Sequence, residues 1–93
     1  MYAVLMTVTI DTAQLDQAQK TLNEEIVPMV SAAPGFVAGY WLEPADGRGV
    51  SFGVFDTEEH ARQTAPPAGA SPTPAVTIES VEFRPVTVSA SAT

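Results

Sequence analysis

The apolar positions of this 93-residue chain fall into four short runs and two helical stretches. The runs at residues 2–10, 36–42, 50–55 and 76–83 carry bulky residues at odd and even positions alike. A strand buried on one face alternates apolar and polar residues, whereas one that does not alternate wants cover on both faces. In the first run the even positions Tyr2, Val4, Met6, Val8 and Ile10 are large, while Ala3, Leu5, Thr7 and Thr9 are smaller and partly polar. Leu15, Ala18, Leu22, Ile26, Met29 and Val30 recur at steps of three and four, which predicts a helix with one apolar stripe. Asp11 stands at its N-cap, with Gln14 at capping-box spacing. Lys20 and Glu24 form an i,i+4 pair on its wet side. Pro28 falls inside the pattern and is expected to kink the helix or end its regular part, because it lacks an N–H and crowds the carbonyl four residues back. Pro34-Gly35 closes the segment.

Residues 43–48 read as a hairpin connection with Asp46-Gly47 at its turn, so Gly47-Arg48-Gly49 is a turn and not a phosphate loop. Asp56, Thr57, Glu58 and Glu59 repeat the capping-box spacing and open a second, short helix. Pro66, Pro67, Gly69, Pro72 and Pro74 forbid regular structure over residues 65–75. Arg84-Pro85 is expected to break the fourth strand, with residues 86–88 extended and 89–93 a frayed tail. The order is βαββαβ. It predicts an α+β, ferredoxin-like fold over residues 1–84, with 85–93 a partly disordered extension. The sheet is four-stranded and antiparallel in the order 4-1-3-2, with both helices on one face. The opposite face is then apolar and uncovered, which predicts a homodimer closed through the sheets as a dimeric α/β barrel. Val4 and Val54 are expected at that seam.

Composition narrows the partners. Apolar residues make up 45% of the chain, too many for disorder. There is no cysteine, so no disulfide or thiolate metal site forms, and one histidine without a carboxylate cluster predicts no metal site. Net charge is −7, and the four basic residues Lys20, Arg48, Arg62 and Arg84 are scattered, which argues against nucleic acid and anionic membranes. The opening residues carry no positive charge and run into Asp11 without a small-residue cleavage site, and nothing approaches the roughly 20 apolar residues of a membrane span. A cytoplasmic protein is expected.

Two stretches carry a family resemblance. Ala33-Pro34-Gly35-Phe36-Val37-Ala38-Gly39-Tyr40-Trp41-Leu42 and Gly49-Val50-Ser51-Phe52-Gly53-Val54-Phe55-Asp56-Thr57-Glu58-Glu59 resemble the helix-Pro-Gly-Phe-strand junction and the strand-to-acidic-helix passage of the antibiotic biosynthesis monooxygenase-type family of dimeric α/β barrels. The resemblance implies a homodimer with a pocket between helices and sheet in each subunit. Family activities include cofactor-free oxidation of aromatic polyketides and oxidative haem breakdown. At the family's catalytic positions this chain departs. Phe55 stands where active members have Trp, Ser51 where the monooxygenases have Asn, and Ala61 where they have Tyr. Thr7 lies near the haem degraders' pocket Asn, and Thr64 to Pro67 occupy the region of their iron-ligating His.

From the residues themselves, His60 is the candidate general base. Thr7, Asn23, Tyr40, Ser51 and Phe55 are the candidate pocket residues, with Tyr40, Trp41, Phe52 and Phe55 forming an aromatic cluster suited to a planar ligand or to packing. Tyr40 and Trp41 must face opposite sides, so one of them at most lines the pocket. No cofactor is expected. The function expected is a small-molecule pocket protein resembling cofactor-independent monooxygenases of planar aromatic or quinol substrates. The alternative is a non-catalytic dimeric ligand-binding or assembly module. Haemin is expected to give no histidine-ligated absorption shift.

Overall fold

The computed structural model describes residues 1–90; the last part of the expected frayed tail, 91–93, lies outside the described residues. The chain runs β1 (Tyr2–Ile10), a 3-10 turn (Thr12–Gln14), α1 (Leu15–Thr21), a π-helical turn (Leu22–Ile26), α2 (Val27–Ser31), β2 (Phe36–Trp41), β3 (Arg48–Phe55), α3 (Glu58–Thr64) and β4 (Val76–Pro85). One antiparallel sheet holds the strands in the order β2-β3-β1-β4. This is the ferredoxin-like order the element pattern predicts.

The first helix is continuous in space but not in hydrogen bonding. The Val27 N–H bonds back to the Leu22 carbonyl, five residues earlier. A widened turn just ahead of Pro28 removes the collision that a proline ring makes with the carbonyl four residues before it. Pro28 therefore sits in the first turn of α2, where a missing N–H costs little. At the start, Asp11 accepts the Ala13 N–H at 3.0 Å and the Gln14 side-chain amide at 2.9 Å, while its own N–H goes to the Ala75 carbonyl at 2.8 Å. The Gln14 N–H also bonds the Asp11 carbonyl at 2.8 Å, so the capping-box partners meet through backbone and side chains. In α3 the cap is Thr57, whose hydroxyl accepts the His60 N–H at 3.2 Å.

The hairpin turn is as expected. Asp46 and Gly47 both have positive φ (53° and 74°), and Ala45 and Arg48 exchange bonds of 2.9 and 3.0 Å, a two-residue turn whose twist suits the strands. The Gly47 carbonyl also accepts the Ile10 N–H at 2.7 Å, tying the hairpin to the end of β1.

Two bulges change the meaning of the apolar pattern. In β2 the register shifts between Phe36 and Ala38, leaving Val37 unpaired; in β4 it shifts at Glu79. Each extra residue flips the parity of the strand beyond it. Phe36 and Trp41 thus share the helix-side face of β2, as do Val76, Ile78, Val81 and Phe83 on β4. For β2 and β4, the lack of strict alternation reflects bulges and not burial on both faces. For β1 and β3 it is real: Leu5, Val50 and Phe52 are exposed on the face away from the helices.

β4 ends at Pro85, two residues past the expected end at Phe83. Val86 N–H bonds the Met1 carbonyl at 2.9 Å, so the preceding residue is a non-bonded position of the ladder, whose N–H would point to the open edge. A proline is tolerated there because no ladder bond is lost. The core has two centres on the helix side. One gathers Val4, Phe55 and Ala61, the other Ile10, Ala18 and Ala75. Val4 is therefore roofed core, 5% exposed, and not a residue of the opposite face as expected.

Candidate functional site

Between the two core centres the helical layer stands away from the sheet and leaves a cavity of about 570 Å³, within the usual range of small-molecule sites, roughly 300–1,000 Å³. Its roof is the apolar stripe predicted for the first helix, from Leu15 through Leu22 and Ile26 to Val30, carried across the π turn. Its floor is the helix-facing side of β1 and β3. On β1 that side is Val4, Met6, Val8 and Ile10; on β3 it is Gly49, Ser51, Gly53 and Phe55. Ser51 and Gly53 leave space beneath the helices, whereas the place of a Cβ at Gly49 is taken by Val8 and Ile10.

One end is closed by the proline-rich segment. Gly69 N–H bonds the Ile78 carbonyl at 2.7 Å and the Ile78 N–H bonds the Ala70 carbonyl at 2.8 Å, so the loop is fastened to the outer edge of β4. From there Pro66, Pro72 and Thr73 reach the cavity.

The lining is mainly apolar, with Gln19, Thr21, Ser51, Thr64 and Thr73 as its uncharged polar side chains. Among the described residues, Glu43 is its one ionisable side chain, and no His, Tyr, Lys or Arg lines it. Ser51 is 9% exposed, and its hydroxyl takes part in none of the side-chain hydrogen bonds among the described residues, although no buried polar side-chain atom there is left sealed and unpaired. The accessible side of that oxygen is the cavity, which Ser51 lines.

Three of the five expected pocket residues do not reach this space. Thr7 faces away from the helices, opposite Val50 and Ser80, because odd positions of β1 point to the open face. Tyr40 is also on the open face, 56% exposed, with its ring 5.1 Å from that of Phe52. Asn23 is exposed on the outer side of the π turn. Ser51 and Phe55 do line the cavity. Phe55 meets Phe36 edge to face at 5.8 Å. Trp41, the partner in parity that excludes Tyr40, is the tryptophan of the site. The Val37 bulge decides between the two, and a bulge leaves no mark in the apolar pattern. A row of small residues at every second position, Gly49-x-Ser51-x-Gly53, is the readable sign of a floor.

His60 lies elsewhere. Its Nδ1–H donates to the Asp56 carboxylate at 2.6 Å, at the junction of β3 and α3. That hydrogen bond, with the charge attraction of the imidazole and contacts to Thr57 behind it, holds the Asp56 carboxyl below its ordinary range. Gly35, at φ 78°, lies against the pair, and a Cβ there would collide with Asp56 and His60. The Asp56 N–H bonds the Gly35 carbonyl at 2.8 Å. The pair thus fastens the β2 entry to the α3 start. Among the described residues, no three His, Asp or Glu side chains converge as a metal site would require.

No protein-family model and no curated protein matches this chain. Solved structures do. A mutant of MhuD with two manganese protoporphyrin IX bound per active site superposes with a TM-score of 0.76 at 17% identity, covering 99% of this chain and all of that one. The haem-degrader MhuD from Mycobacterium tuberculosis, with two haems in its active site, gives a TM-score of 0.74 at 17% identity over 98% of this chain and all of that one. The ferredoxin-like fold implied by the antibiotic biosynthesis monooxygenase-type resemblance is therefore the fold this chain has, shared end to end with the MhuD proteins.

Proposed function

We propose that the protein is a small-molecule pocket protein that takes a flat, uncharged aromatic or quinone-type ring into the cavity between its helices and sheet. The observation that carries this reading is the lining: apolar walls, the aromatic side chains of Trp41 and Phe55, one buried hydroxyl and a single charge. Burial of a ring against such walls is favourable by about 25 cal/mol per Å², and an ionic ligand would find no cation to pair with. The neighbours' haem is a poor guide to the ligand here. A haem needs an axial donor, most often His, Cys, Tyr or Met, and cations for its propionates. This lining offers only the thioethers of Met6 and Met29 as donors, and the sole histidine is engaged with Asp56 outside the cavity.

The binding reading is favoured over oxygenase chemistry by the place of His60. A base that makes a phenolate must reach the phenol within about 3 Å or through one water, and the cavity holds only Glu43 for that task. The protein works as a pair of copies. Leu5, Tyr40, Leu42, Val50 and Phe52 form an exposed apolar patch on the open sheet face that a second copy covers.

Trp41 is the only tryptophan, so its fluorescence reads the cavity directly. Titration with 1,4-naphthoquinone is expected to quench it saturably, and haemin to give no histidine-ligated spectrum. Linear, non-saturating quenching up to the solubility of the quinone discards the pocket reading. Oxygen uptake with 1,4-naphthohydroquinone that is abolished by Glu43→Gln restores the oxygenase reading.

A further inference from the structure

We infer that Gly53 is a specificity-determining residue, whose missing side chain keeps a seat for a flat ring on the cavity floor and serves no need of the fold. The inference rests on the proposed pocket function and names the part of the cavity that selects the ligand.

A glycine inside a strand is destabilising relative to alanine, through lost chain entropy and absent packing, so each one calls for a reason. Three glycines of the β2–β3 hairpin lie on the helix side of the register or across from such a position, and they differ. At Gly49 a Cβ would stand 2.9 Å from Val8 Cγ2, closer than real Cβ contacts come. At Gly39 it would stand 3.0 Å from two ring atoms of Trp41 and 3.2 Å from Phe36 Cζ, because the indole lies over that glycine. At both positions a Cβ would force a neighbouring side chain to shift. At Gly53 the nearest atoms are Phe55 Cε2 at 3.5 Å and the Ala38 carbonyl at 3.8 Å, ordinary van der Waals contact. Nor is Gly53 among the residues of positive φ. Neither sterics nor backbone conformation asks for glycine there, and a methyl group would project into the cavity that Gly53 lines.

Its surroundings say what the space accommodates. Gly53 pairs with Gly39, so the indole of Trp41 stands beside it. Phe55 follows two residues along the same face, and Ser51 precedes it by two, with its buried hydroxyl unpartnered among the described residues. The result is a patch of bare peptide, bounded by two aromatic side chains and ending at one hydroxyl. A flat ring lies against bare backbone only where no Cβ lifts it. An oxygen on its rim, a quinone carbonyl or a phenol, then meets Ser51. The chemical class is an uncharged planar ring with at least one hydrogen-bonding oxygen.

The test separates fold from seat. Gly53→Ala and Gly53→Val are compared with wild type by thermal unfolding without ligand and by Trp41 quenching with 1,4-naphthoquinone. Gly53→Ala is expected to raise the midpoint by about 2–8 °C, as relief of a strand glycine does in a chain of this size. The same variant is expected to bind the quinone about tenfold more weakly, and Gly53→Val more weakly still. Gly39→Ala, as a packing control, lowers the midpoint. Ser51→Ala retains ring binding but loses the preference for naphthoquinone over naphthalene. A Gly53→Ala midpoint below wild type, or quinone affinity unchanged in a wild type that binds, overturns the inference while the pocket stands. A wild type that binds no quinone removes the pocket reading and this inference with it.

Discussion

β3 and β4 flank β1 on either side and place their bulk in opposite directions. β3 turns Gly49, Ser51 and Gly53 toward the helices and Val50, Phe52 and Val54 away from them. β4 turns Val76, Ile78, Val81 and Phe83 toward the helices and leaves Thr77, Glu79, Ser80, Glu82 and Arg84 in water. Above the Val81–Phe83 part of β4 the core is filled, with the Arg62 guanidinium stacked 4.2 Å over the Phe83 ring, while Val76 and Ile78, the latter 2% exposed, reach the edge of the cavity. Above β3 there is a cavity. Below β4 a Thr9–Glu79 hydrogen bond and an Arg84–Glu82 pair make a hydrated surface, and below β3 lies an apolar patch. A strand that faces a single core gives its large residues to that core. β3 does not, and the proposed function accounts for both departures: a ligand on its roofed side and a second copy of the chain on its open side. The exposed apolar residues of the sheet lie on β1, β2 and β3, and the proposed docking surface therefore leaves β4 outside it.

The largest effects should come from the filled side. Val4→Glu puts a lone carboxylate into the core beside Phe55 and Ala61, a burial that an unpaired charge does not survive. No cooperative unfolding transition is expected from it by circular dichroism. Ile78→Ala is expected to cost about 2–5 kcal/mol in denaturant titration, the range for deleting a buried branched side chain. Thr77→Ala, its neighbour on the wet face, should stay within about 0.5 kcal/mol of wild type. Equal costs at positions 77 and 78 would mean that β4 is not one-sided.

A smaller effect on stability, but a clear one on assembly, is expected on the open face. Phe52→Glu sits at the centre of the exposed apolar patch, against Tyr40. Light scattering should report two copies of the 9.8-kDa chain for wild type and one for this variant. Glu82→Ala, below β4, should leave the mass unchanged. A wild-type mass of one copy removes the reason for β3 to keep its bulk outside.

How much of the molecule is legible in the residues divides along the same line. The element order, the Asp46-Gly47 turn, the apolar stripe and the strand order all stand in local signals: periodicity, turn residues and capping spacing. The faces do not. Parity arguments carry along a strand only until a bulge, and Val37 and Glu79 each reverse them. Without the bulges, Tyr40 takes the pocket position that belongs to Trp41, and β4 reads as apolar on both sides. Thr7 matches a family pocket position, although its own parity, odd in β1, points it away. His60 carries the residue type of a base, but its surroundings are set by Asp56 one helical turn earlier and by a glycine from another element, Gly35. Pro28 announces a disturbance; only the hydrogen bonds show that a π turn absorbs it without breaking the roof.

Acid offers a gentler way to separate the roof from the sheet. Among the described residues, two carboxyls are held below their ordinary value of 3.8, both at helix starts: Asp11, through the Gln14 side chain and the Ala13 N–H, and Asp56, through His60. A group whose folded value is lowered contributes stability that is complete above its unfolded value and is lost as pH falls through the folded one. The window is therefore below about pH 4. Both groups are fully exposed, so the effect is small, and the overall fall in negative charge acts on the whole chain at the same time. Comparison with Asp56→Asn cancels that common part. The variant should unfold slightly below wild type at pH 7, and the two midpoints should converge as pH falls toward about 2. Because the Asp56–His60 pair ties α3 to the β2 entry and touches neither the open face nor its patch, the variant should keep the wild-type mass at pH 7. A gap that persists unchanged to about pH 2 would mean that the carboxylate does not cause it, and a variant that changes mass would place Asp56 with the proposed docking surface and dissolve the distinction between the two sides of β3.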